Sequence, residues 1–207
     1  MKKIFLNNRT IVHQYVFFKS FNILLKNLLI VLTGIFLLVL SAKIKIPIPP
    51  VPITLQTLVV LGFAMSVGSR LSFLTFIFYL FLGSMSVPIF ANPPYGGPGY
   101  LLGPSGGYLL GMLLASYVVG YLAEINFDKS YFKSLLAIFL GTIIIFIPGI
   151  IWLGFWYNFL SGTAENLNFY QSYDKAFQNG LLLYKYTEPV KIALAACITP
   201  ILWKLKK

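Results

Sequence analysis

Residues 83–111 read GSMSVPIFANPPYGGPGYLLGPSGGYLLG, and they interrupt a chain that is otherwise built of long apolar runs. The stretch is crowded with glycine and proline and carries Asn92, Tyr95, Tyr100, Ser105 and Tyr108. Proline fixes φ and removes a backbone donor, while glycine relaxes the backbone, so residues 88–103 cannot form a regular helix. An ordered irregular segment between two membrane helices must be buried in protein or line a cavity, because lipid cannot satisfy its N–H and C=O groups. A lid over a pocket is the functional reading. A turn-rich connection is the plain alternative.

The flanking runs define the solvent. Only 10% of the residues are charged, against about 25% in soluble domains. Runs of about 20 apolar residues imply spanning helices, and no alternating ten-residue segments suggest a barrel. In a soluble protein the formal charge of +11 would suggest nucleic acid. Here it follows membrane topology, and no nucleic-acid partner is expected. Lys2, Lys3, Arg9, Lys19 and Lys26 precede the first apolar run, and Lys204, Lys206 and Lys207 follow the last. Both ends are therefore expected in the cytoplasm, with an even number of spans in a multi-pass cytoplasmic-membrane protein. The single cysteine, Cys197, excludes an intramolecular disulfide and reads as core filler.

Residues 1–26 read as a basic, aromatic cytoplasmic extension, with an interfacial helix as one form it could take. No small-residue cleavage site follows, so the first apolar run is kept as a helix. His13 is the sole histidine, which leaves no histidine metal cluster. The remaining 27–207 form one membrane domain. Six helices are expected, at 27–42, 55–67, 71–87, from 103–105 to 124, 132–160 and 187–205. Pro148-Gly149 should kink the fifth, whose length exceeds the hydrocarbon thickness. Segments 44–54, 88–103 and 161–186 then share the outer side, as ordered loops capping a ligand pocket. No internal repeat is evident.

The sharpest polar signal is Thr187-Glu188-Pro189-Val190-Lys191 at the mouth of the last helix. Glu188 and Lys191 are three apart and share a face. The helix dipole accounts for the glutamate but disfavours a lysine in the first turn. Snorkelling is one answer, and a donor–acceptor pair facing the bundle interior is the other. Thr54 and Gln56, where the proline-rich segment enters the second helix, fit capping as well as ligand contact. Asn92, Tyr100 and Tyr108 could turn polar tips inward, though tyrosines also anchor at interfaces. Trp152 and Trp156 form either a lipid-facing belt or a pocket wall. No phosphate-binding loop with its lysine, zinc spacing or nucleophile–base arrangement occurs, so no enzymatic activity or cofactor is expected.

The blocks IKIPIPPVPITLQTLVVLGFAMSVGSRLSFLTFIFYLFLGSMSVPIFA, GYLLGPSGGYLLGM and the final Glu-x-x-Lys resemble the BioY family in order and spacing. BioY proteins are biotin-specific substrate-binding (S) components of energy-coupling factor (ECF) transporters. The resemblance implies the six-helix S-component fold, with biotin as ligand. It also implies a transmembrane coupling protein and two ABC-type ATPases as partners. Ligand contacts are expected from Glu188, Lys191, Thr54, Gln56, Asn92, Tyr100 and Tyr108. The chain departs from the family by carrying glutamate where aspartate is usual at 188. It also lacks the Ala-x-x-x-Ala spacing on the first helix, having Thr33-Gly34 and Ser41-Ala42. A biotin precursor or another vitamin, and a non-transporting membrane scaffold, remain the alternatives.

Overall fold

The computed structural model describes residues 10–12, 22–160 and 168–205. The readings made for His13 and most of the basic extension lie outside them. Among these residues seven main helices follow one another: α1 (Ile23–Lys43), α2 (Gln56–Val67), α3 (Ser69–Ser84), α4 (Gly106–Glu124), α5 (Tyr131–Phe155), α6 (Phe169–Gly180) and α7 (Thr187–Leu205). A two-residue antiparallel pair joins α1 to α2: β1 (Lys45–Ile46) and β2 (Ile53–Thr54), with Lys45 opposite Thr54.

Among the described residues, three segments are long and apolar enough to cross a membrane unaided: Ile23–Lys43, Gly106–Glu124 and Tyr131–Leu160. On α1, Leu28, Leu32, Phe36 and Leu40 recur every fourth residue and are about half exposed or more (52%, 52%, 65% and 48%). In water such a stripe would be a severe aggregation liability; in a bilayer it is the lipid-facing side. The protein is a membrane protein. α2 and α3 are apolar but contain only 12 and 16 residues. At 1.5 Å per residue α2 rises about 18 Å, short of a hydrocarbon core of about 30 Å.

α4 and α5 form the most extensive helix pair, and glycine sets their spacing. A Cβ on Gly111 would stand 2.6 Å from the Ile145 carbonyl oxygen, and one on Gly107 would stand 2.4 Å from that of Pro148. The backbones therefore touch directly, which brings Tyr108 on α4 beside Phe146 on α5 (ring centroids 5.7 Å apart). α2 and α3 are separated by Gly68 alone, whose φ of 91° suits glycine. The Glu124 carboxylate at the end of α4 caps α3, accepting from the Ser69 N–H (2.9 Å) and hydroxyl (2.8 Å).

Three expectations are revised. Cys197 is exposed on the outside of α7 rather than part of the core, because the buried arc of that helix runs through Ala195, Ala196, Thr199 and Pro200. Residues 168–186, read as part of an ordered loop, contain α6. That helix opens with a reciprocal capping box between Asn168 and Gln171. Third, Trp152 does not line the cavity; it is half-buried, and its indole N–H donates to the Gly103 carbonyl (2.8 Å), tying α5 to the start of α4.

Asp128, in the turn between α4 and α5, is fully buried and receives the Trp203 indole N–H (2.7 Å). Burial pushes its carboxyl above the usual carboxylate range. A raised carboxyl pKa contributes stability that is complete below the unfolded value near 3.8 and is lost as pH rises through the folded value. Asp128→Asn, which keeps an acceptor for Trp203, should therefore match the parent at acidic pH and melt higher at pH 7. Thermal unfolding in detergent across pH checks this; a lower melting temperature at pH 7 would refute it.

Candidate functional site

The site is built where β2, the start of α2, the irregular segment after α3, and α7 converge. Pro189 is tolerated in the first turn of α7, where an N–H would be unpaired in any case. That turn sets Glu188 and Lys191 on one inward face, 6% exposed each. The Lys191 ammonium donates to the Glu188 Oε1, to the Thr54 carbonyl (2.9 Å) and to the Thr57 hydroxyl (3.2 Å). All three of its hydrogens are thus committed. Glu188 Oε2 is buried and, among the described residues, receives no donor. An ion pair with one buried oxygen left open can accept a further N–H donor.

Around the pair lies a cavity of about 40 Å³, room for about one water. Thr54, Gln56, Tyr100, Tyr108, Glu188 and Lys191 all line it. The Thr54 hydroxyl accepts the Gln56 N–H (3.2 Å) from just before the N-cap residue Leu55. Gln56 donates to the Tyr79 hydroxyl (3.0 Å). Asn92 is turned away from the pair, toward Lys45 (2.8 Å). Sequence reasoning did not single out Thr57, Phe146 or Tyr184 as ligand contacts. Thr57 follows Gln56 on α2 and was legible as a neighbour; Phe146 and Tyr184 carried no signal apart from other aromatics.

Tyr100, Tyr108, Phe146 and Tyr184 wall the cavity, with further rings packed behind Tyr100. Phe90 stacks on Tyr100 (4.5 Å, 17°) and meets Tyr79 edge-on, while Phe146 stands edge-on to both Tyr108 and Tyr184. The Tyr184 hydroxyl donates to the Val51 carbonyl (2.9 Å), and Tyr108 donates to the Gly180 carbonyl (2.9 Å). Burial pushes the Tyr184 phenol far above its usual range, so it stays a neutral donor. The outer segments are further pinned by lysines from the α1 end. Lys43 donates to the Pro88 and Phe90 carbonyls (2.9 and 2.8 Å), and Lys45 to the Ala91 carbonyl, with both ammonium groups over the Tyr95 ring. The irregular segment is therefore ordered and anchored to the end of α1 and to β1.

The described residues form a membrane helical bundle with a buried charged pair beside a small cavity lined in part by aromatic side chains. The BioY family model matches residues 11–207, and the chain belongs to the BioY family. It is 37% identical over 176 residues to the biotin transporter BioY of Thermotoga maritima, covering 84% of this chain and 94% of the relative. It is 29% identical to the probable biotin transporter BioY of Rickettsia prowazekii, over 94% of this chain and 92% of that protein. The crystal structure of the S-component for biotin from an ECF-type ABC transporter superposes with a TM-score of 0.70 at 24% identity. It covers 87% of this chain and 92% of its own. These relatives are transporters, and the fold is that of an S component.

Proposed function

We propose that this protein binds biotin at the Glu188–Lys191 site and admits it to the cell as the S component of an ECF transporter. The observation that carries the reading is the buried, open Oε2 of Glu188 beside an anchored ammonium. A ureido N–H of biotin supplies the donor that this oxygen lacks, as a charge-assisted hydrogen bond. Lys191 exchanges one of its present acceptors for the ureido carbonyl. Tyr100, Tyr108, Phe146 and Tyr184 enclose the fused rings. The likeness to biotin transporters along nearly the whole chain supports the same ligand.

In this reading six segments traverse the cytoplasmic membrane with both termini inside. α2 and α3 are completed in depth by the extended segments at their outer ends. A coupling membrane protein and two ABC-type ATPases energise release, since no nucleotide-binding motif is present in this chain. The present cavity is far below the roughly 300–1,000 Å³ of small-molecule sites. Entry therefore requires the lid to swing out, breaking the Tyr184–Val51 bond and the lysine contacts.

Calorimetric titration of the detergent-purified protein with biotin tests the assignment. Tight one-to-one binding is expected, and no heat from folded protein would reject it. Tyr184→Phe removes one lid bond, a difference of about 0.5–1.5 kcal/mol. Release of labelled biotin in a chase should accelerate about 2- to 10-fold, whereas an unchanged rate would remove Tyr184 from the closure.

A further inference from the structure

A larger cavity, separate from the biotin site, lies on the other side of α2, against α1 and the middle of α7. Its volume is about 460 Å³, within the range of small-molecule sites. Leu29, Leu37, Val59, Phe63 and Ile198 are among its walls, and Lys26 stands at one end. Phe63 forms the floor because Gly34 of α1 has no side chain to oppose it; a Cβ there would stand 2.5 Å from the ring.

Chemistry, length and position together specify an occupant. The walls are mostly hydrocarbon, with Thr33 and Ser66 among them, and among the described residues Lys26 is the one charged residue in the lining. Eleven residues separate Lys26 from Leu37, a rise of about 16 Å along α1. Half of a hydrocarbon core of about 30 Å is the depth of one leaflet's tails. Lys26 lies three residues from the start of α1, at the level where one leaflet's phosphates meet the acyl region. We infer that this groove holds one acyl chain of an anionic phospholipid, with the lipid phosphate against the Lys26 ammonium. Assigning that lipid to the inner leaflet rests on the topology proposed above. The groove itself does not.

Native mass spectrometry of the full chain, released from micelles doped with dioleoylphosphatidylglycerol or dioleoylphosphatidylcholine at equal concentration, tests the inference. The parent should retain one phosphatidylglycerol. Leu29→Trp, which fills the groove from an exposed position, should lose it. Lys26→Gln should keep lipid binding while its preference for phosphatidylglycerol falls about five-fold, the effect of one interfacial lysine. Biotin titration of the same preparations should be unchanged in both variants, so a failed biotin assignment and a failed groove assignment give different results. Equal lipid retention by Leu29→Trp overturns the inference. So does a folded parent that retains no lipid, the result expected if the groove is covered by protein rather than lipid. A Lys26→Gln protein with undiminished preference removes the phosphate contact.

Discussion

Lys191→Ala is expected to weaken biotin binding by roughly 100-fold or more. The ammonium anchors Glu188, the Thr54 carbonyl and the Thr57 hydroxyl at once. Hydrogen bonds to charged groups contribute about 1.5–3 kcal/mol each, and every 1.4 kcal/mol is tenfold in affinity. The same substitution strands the Glu188 carboxylate in the interior, a loss of about 3–5 kcal/mol in comparable buried pairs. Reduced folding and reduced binding therefore have to be separated. In the double variant Lys191→Ala with Glu188→Gln the buried charge is gone, so the melting temperature should largely recover while biotin binding does not. Calorimetry beside thermal unfolding reads both. Parent-like affinity in Lys191→Ala would dismiss the site. Binding restored in the double variant would reduce the pair to a structural role.

Gly111→Val is expected to be the most damaging single change outside the site. Its Cβ would enter the backbone of α5, 2.6 Å from the Ile145 carbonyl oxygen and 2.7 Å from the Ile145 Cα. A flexible side chain could move aside, whereas a helix backbone cannot without separating α4 from α5. Overpacking typically costs about 1–3 kcal/mol, and the rigid neighbour places this variant at or above the upper end. Because Tyr108 on α4 and Phe146 on α5 wall the cavity, spreading the two helices should weaken biotin binding as well. Gly99→Ala is the control, since a Cβ there meets nothing within 4 Å. Fluorescence-detected size exclusion after heating compares them. Equal survival of the two variants would mean that the α4–α5 contact is not set by glycine.

Much of this molecule is legible in its residues. Apolar runs mark α1, α4 and α5 as membrane segments. The density of proline and glycine over 88–103 rules out a continuous helix, and the three-residue spacing of Glu188 and Lys191 puts both on one face. These are local consequences of backbone chemistry and helical period, and they need no partner to be read. The blocks around residues 44–54 and 103–111 were specific enough to suggest the family before any fold was known. What local chemistry could not supply was the neighbour of each side chain. Asn92 and Tyr100 sit in the same irregular segment, yet only Tyr100 reaches the cavity, because Lys45 on β1 draws the Asn92 amide aside. Thr57 and Tyr184 are 127 positions apart in the sequence and unremarkable alone; they join the site because α2 packs on α7 and the last outer segment folds back onto Val51. Cys197 sits on an apolar helix whose sequence does not distinguish its lipid side from its protein side, since both are hydrocarbon. That choice, like the openness of Glu188 Oε2, is made only when the helices pack, because packing decides which groups find partners and which are left to bind something else.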